Sequence, residues 1–240
     1  MFKINKKYEP KAIEVELWNR ELRMIEIWDK KENKKEFSNL SRKCFYMLTK
    51  IPIPEEDMLK IKHILKLIAY AYLGEIKEDG KKFILKEKKV WEVYSNKQIN
   101  WRERLLRDMY LAILHIVKGE SYKDFLKSIN LIYNLKKNQA KYEGKYLNSI
   151  PNEFKKNAAL ELASLYHFAK SIEILGEFML EDETSSDRVI SEIDYHLNKG
   201  IKFCDASGNF ELYFIIQLVR LMFKKIILYR VNELKKKQRC

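Results

Sequence analysis

The residues in this chain best suited to chemistry near neutral pH are four histidines and three cysteines, scattered along the sequence. His63, His115, His167 and His196 fall on four different predicted helices. Glu192 and His196 lie four apart on one of these, where they could share a metal ion or a hydrogen bond. A single pair at that spacing is ordinarily an exposed side-chain contact. Cys44, Cys204 and Cys240 are odd in number and far apart, so neither a disulfide framework nor a CxxC metal pair follows from them. The chain lacks a phosphate loop, a dinucleotide fingerprint, an HExxH and a serine elbow. No catalytic residue, metal ligand or cofactor is therefore assigned.

The nearest approach to a catalytic constellation is Arg107-Asp108 with His115. A histidine can move protons and an arginine can stabilise charge on phosphate. This stretch resembles the Arg–polar–His arrangement of the small all-helical ribonucleases of the HEPN class. The resemblance implies RNA cleavage, but the gap between Arg107 and His115 is longer than that family's. Eight steps along an ideal helix set the two side chains about 80° apart. Arg188 and His196 repeat the same spacing.

Cation clusters give a broader reading. Arg102, Arg104 and Arg107 gather beside Trp101, a ring able to stack on a base. Lys224, Lys225, Arg230, Lys235, Lys236, Lys237 and Arg239 crowd the C-terminal helix and tail, with Tyr229 among them. The net charge is +13 and unevenly placed. Residues 201–240 are strongly basic, whereas 151–200 hold more acids than bases. Such clusters supply affinity for RNA or DNA that falls steeply with salt, and they also arise as solvated helix ends.

The elements that must position these residues are helices. Hydrophobic residues make up 46% and charged residues 34%, with only 7 Gly and 4 Pro, which fits long helices with short connections and not a turn-rich β protein. Predicted helices cover about Pro10 to Trp28, with Val15, Trp18, Leu22 and Ile25 as its apolar face, then Glu36 to Thr49, and from Glu55 to a stop near Gly74. Further helices are expected over 101–118, closed by Gly119, over 120–137, over 152–181 as one long helix or a broken pair, over 188–204, and from about Phe210 to the basic tail. The polar segment 138–150 is expected to be a connection, and Ser186 or Asp187 to cap the helix that follows the acidic loop 181–187. Residues 82–95, with Phe83-Ile84-Leu85 and Val90 to Tyr94, could form a small β-hairpin or a short irregular helix.

The apolar run 212–223 is too short and too interrupted, by Gln217 and Arg220, to cross a membrane, which takes roughly 20 residues. The N-terminus lacks the apolar core of a signal peptide. A cytoplasmic chain without a transmembrane segment is expected.

Three stretches bear on a repeat. NAALELASLYHF (157–168) carries Leu162, Ala163 and Tyr166; YLAILHIVKGESYKDFLKSI (110–129) carries Leu111, Ala112 and Gly119; Gly200 takes a small-residue place in 195–209. These resemble the Leu-small-x-x-Tyr hairpins of tetratricopeptide repeats, whose period is about 34 residues. His115 stands where Tyr is usual, and one extra residue separates Gly119 from Tyr122. The likeness covers about half the chain, since the first hundred residues do not follow the period. It implies a scaffold that binds peptide or protein on a concave face.

The expectation is thus an all-α chain of stacked antiparallel helical hairpins, tetratricopeptide-like or an irregular bundle. It forms one domain over 1–240, with a subdivision at 1–98 and 99–240 as the alternative. Its expected work is that of a non-enzymatic adaptor or accessory subunit in a larger assembly, partnered by another protein. Nucleic-acid binding is the alternative and ribonuclease action the remote one.

Overall fold

The computed structural model describes residues 11–93, 100–119, 122–180 and 187–237. Among these residues there are nine α-helices and no strand: α1 (Ala12–Ile27), α2 (Lys34–Leu48), α3 (Asp57–Leu73), α4 (Lys77–Lys86), α5 (Trp101–Lys118), α6 (Tyr122–Asn148), α7 (Asn152–Leu180), α8 (Asp187–Ser207) and α9 (Phe210–Lys237). Short 3-10 turns precede α2 and follow α4. The fold is all-α, and helix packs on helix throughout. Pro10, Tyr94, Ser186, Arg239 and Cys240 lie outside the described residues.

Local signals set several boundaries. The Asn100 side chain accepts from the Glu103 amide, and Glu103 accepts from the Asn100 amide in return, a capping box that starts α5. Gly119 ends α5 at φ 47°. At the end of α3 the turn is unusual, because the left-handed position falls on Glu75 (φ 59°) and not on a glycine. Gly74 is needed one residue earlier, where a Cβ would lie 2.8 Å from the Arg42 backbone nitrogen of α2. The Ile76 amide still reaches back to the Ala71 carbonyl (2.9 Å) and closes the turn.

Four helices make the interior, and they run parallel. Lys62 of α3 pairs with Glu211 of α9 near their starts, and Glu75, in the turn after α3, pairs with Lys225 of α9, thirteen residues further along the one stretch and fourteen along the other. Arg102 on α5 pairs with Glu161 on α7 (2.8 Å), and Glu161 accepts from Asn209, which precedes α9. At the other end Arg230 of α9 donates to the Met179 carbonyl of α7. In sequence order α3, α5, α7 and α9 each pack on the next, and α9 packs back on α3 to close the ring. Shorter or more exposed helices run between them: α4 on α3, α6 across α5 and α7, α8 across α7 and α9, with α2 on α3 and α1 outermost.

This arrangement fits a helical repeat-like protein, with a closed inner face in place of an open one. Phe214, Ile216, Val219, Met222, Phe223 and Ile227 of α9 are almost wholly buried. Each such side chain contributes roughly 1.5–3 kcal/mol. Small residues permit the close approaches. A Cβ on Gly200 would sit 3.1 Å from the Ser164 carbonyl, and one on Gly176 would sit 3.1 Å from Ile129. One contiguous hydrophobic cluster runs from Leu17 to Val231.

Three sequence expectations are corrected. The β-hairpin near 82–95 is absent among the described residues: Phe83, Ile84 and Leu85 belong to α4. The helical spacing of Gly80 and Ile84 buries both, and Phe83 packs edge-on to Phe45. Helical packing overrides strand propensity there. The expected connection 138–150 is helical as far as Asn148. Its only breaker is Gly144, which costs about 1 kcal/mol, too little to end a helix anchored by Tyr142 on Trp101. Finally, α1 turns a different face inward. Leu17, Glu21, Met24 and Ile27 are buried, and of the expected face Val15, Trp18 and Leu22 are exposed while Ile25 is half-buried against the core. Glu21 accepts from the Tyr70 hydroxyl (2.6 Å) and from Lys66 (3.1 Å), and this network fixes which side of α1 meets α3.

Two predictions follow from the packing. A methyl group at Gly80 would lie 2.2 Å from the Ala71 Cβ. Gly80→Ala is therefore expected to destabilise the fold by about 1–3 kcal/mol in urea denaturation, as overpacked cores do. His63 is buried on α3, and its Nε2 has no hydrogen-bond partner among the described residues. Burial and nearby Lys66 lower its pKa from 6.5 to about 4. Because the unfolded chain takes up the proton first, stability should fall as pH drops from 6.5 towards 4. His63→Leu should flatten that part of the melting-temperature profile.

Candidate functional site

The two basic clusters do not form one surface. Arg102 lies with Asn209 and Leu212 at the starting end of α9, whereas Lys235, Lys236 and Lys237 close its far end. A helix of this length spans about 40 Å. Trp101 is buried, with its ring stacked on Tyr142 and its indole N–H donating to the Tyr166 hydroxyl (2.6 Å). Its face is thus occupied by the protein itself. Arg102 is paired with Glu161, and Arg104 and Arg107 both approach Asp108, at 3.9 and 2.8 Å. Arg104 also lies over the Tyr142 ring.

On α9, Lys224 pairs with Asp194 (2.7 Å) beside Arg220, Lys225 pairs with Glu75 (2.8 Å), and Arg230 is turned to Met179. The acid-rich and base-rich segments seen in the sequence thus partly neutralise each other across α8 and α9. Lys235, Lys236 and Lys237 are exposed.

Two of the histidines, His167 and His196, are brought together, and His63 and His115 lie apart from them. His115 lies 3.6 Å from Asp124 on α6 and against the Trp91 ring, while Arg107 is held by Asp108, so the two have separate partners. Burial lowers the His115 pKa, and Lys127 adds to this. Glu192 pairs with Arg188 (3.1 Å), and His196 turns instead to His167, with the two Nδ1 atoms 3.1 Å apart. One imidazole must donate and the other accept, so at least one is neutral. Burial lowers the pKa of both, helped by Lys199 at His167 and by His167 itself at His196. Phe203 stacks on His167, so the pair sits in an aromatic setting. Among the described residues no group of three or more His, Cys, Asp or Glu is placed to hold a metal ion.

The most distinctive surface lies on α1. Val15 is 40% exposed, Trp18 62% and Leu22 40%. They fall at i, i+3 and i+7, so they form one stripe along the helix. Arg20 with Glu16, and Arg23 with Glu26 and Glu36, make ion pairs on the polar side of α1. The sequence marks Val15, Trp18, Leu22 and Ile25 as the apolar face of this helix, and the structure leaves the first three exposed. The signal that could have corrected that reading is a second stripe, Leu17, Met24 and Ile27, because a helix docked on one side needs only one. Compared with known protein families, with curated proteins and with solved structures, the chain matches none of them.

Proposed function

We propose that this chain is a non-enzymatic helical adaptor or accessory subunit of a larger assembly. Its repeat-like hairpins serve as a rigid frame, and α1 is its docking helix. The observation that carries this reading is the exposed Val15–Trp18–Leu22 stripe. Spacing at i, i+3 and i+7 is how an amphipathic helix presents anchors to a partner's apolar groove, and Trp is enriched among residues that dominate binding energy. The concave face of a repeat protein does not serve here, because α9 fills it. The buried thiols of Cys44 and Cys204, raised by burial to about 12 and about 11, suit a reducing cytoplasm where they stay unreacted. Among the described residues no helix is long and apolar enough to cross a membrane.

The test is capture of a partner from native lysate by the wild-type chain, by Trp18→Ala and by a control with an exposed aromatic elsewhere, Tyr133→Ala. Trp18→Ala should lose at least about tenfold in affinity for the captured protein, the 1.4 kcal/mol or more typical of an anchor residue. Equal capture by all three would refute the docking role of α1.

A nucleic-acid reading keeps support from Lys235, Lys236 and Lys237, which stand exposed at the end of α9. If it holds, mixed RNA and DNA oligonucleotides bind at low salt and dissociate steeply as salt rises. Replacing the three lysines with Glu should abolish that binding. Product sizing in the same tubes covers the ribonuclease reading, for which cutting must be lost in both Arg107→Ala and His115→Ala.

A further inference from the structure

A second surface joins parts of the chain that are distant in sequence. The end of α1, the start of α2, the end of α3 and the middle of α9 enclose a groove of about 370 Å³. Its walls are apolar, made chiefly by Trp28, Phe37, Leu73, Leu221 and Leu228. Leu228 is 47% exposed at the lip. Four lysines line the groove, Lys30 and Lys34 on one side and Lys224 and Lys225 on the other, against a single carboxylate, Glu75. Glu75 is already held by Lys225, and Lys224 by Asp194. Lys30 and Lys34 are exposed and have no ion pair among the described residues.

We propose that this groove binds a small amphiphilic anion, an alkyl chain ending in a carboxylate. The size lies within the range of small-molecule sites, which pair an apolar lining with a few placed polar groups. Tail and head are assigned by the chemistry of the walls. The alkyl chain lies on the Leu73, Leu221 and Leu228 side, where it removes apolar surface from water at roughly 25 cal/mol per Å². The carboxylate meets Lys30 and Lys34, whose ammonium groups have no competing carboxylate among the described residues. A neutral amphiphile would leave these lysines unused, and a cationic one would be repelled by them. Glu75 sits at the turn that ends α3 and lines the groove, and it is the only described non-glycine residue with positive φ. Such backbone positions persist where the surroundings hold them, here through the Lys225 pair and the close passage of α2 over Gly74.

The experiment is calorimetric titration of the full chain with octanoate at low salt, with octanol, octyltrimethylammonium and octyl phosphate as comparators. Octanoate should bind saturably at one site, with octanol and the cation at least about tenfold weaker. The double variant Lys30→Ala/Lys34→Ala, which removes exposed side chains, should weaken octanoate at least about tenfold while leaving the melting temperature unchanged. Leu228→Glu, which sets a carboxylate at the lip, should do the same by a different route. Octanol binding as tightly as octanoate, or octanoate binding unaffected by both variants, would overturn the proposal. So would octyl phosphate binding where octanoate does not, since that assigns the site to a different head group. Trp18→Ala should keep full octanoate affinity, so failure of the α1 docking role and failure of this site are separable.

Discussion

The packing of α9 on α3 is the contact on which the rest of the structure depends. Without it, α3, α5, α7 and α9 would form an open row of parallel helices with apolar inner faces in water. With it the row becomes a ring, and Phe214, Val219, Met222, Phe223 and Ile227 pass out of solvent together. The ion pairs Lys62–Glu211 and Glu75–Lys225 mark the register of the two helices. Exposed or half-exposed pairs of this kind each contribute about 0–1 kcal/mol, so they specify alignment more than they hold the ring shut. The apolar burial supplies the energy.

Closure has a consequence for where recognition can happen. Helical hairpins stacked in an open array offer their inner helices to ligands, but here those helices are spent on one another. The available surfaces belong to the outer layer and its edges: the solvent side of α1, the Lys-rimmed groove beside it, and the tail of α9. Two of these meet at α1, whose middle carries the exposed stripe and whose end contributes Trp28 to the groove.

Buried polar groups choose among packings that apolar residues alone would leave open. Glu21 is the clearest case. Its carboxylate takes hydrogen bonds from Tyr70 and Lys66, so the rotation of α1 that buries Val15, Trp18 and Leu22 would strand a charge and forfeit those bonds. The same logic operates between α6 and α7. There burial pushes the Glu173 carboxyl up, while Lys170 and Lys136 more than offset this and bring it below the usual range. Trp101 is held between Tyr142 and Tyr166 in a third such link, joining α5 to α6 and α7.

What the sequence by itself determined was local: helix as the dominant element, most helix spans to within a few residues, the stop signals at Gly74 and Gly119, and the small residue at Gly200. These depend on propensity, capping and periodicity, which act over a few turns. Where the signal was local but ambiguous, as at 82–90 and 138–148, helix won because neighbouring helices offered a packing partner or because nothing strong enough interrupted it. The tertiary structure decided everything that requires knowing who the neighbour is. It decided that α1 shows solvent its Trp18 side, because Tyr70 and Lys66 lie 49 and 45 residues away in sequence. It set Trp101 inside the protein and gave its neighbouring arginines carboxylate partners. It also brought Lys30 and Lys34 opposite Lys224 and Lys225 across one apolar groove. Pairings over such separations leave no periodic trace in the chain, because they are selected by the shape and charge of surfaces that exist only after the helices have packed.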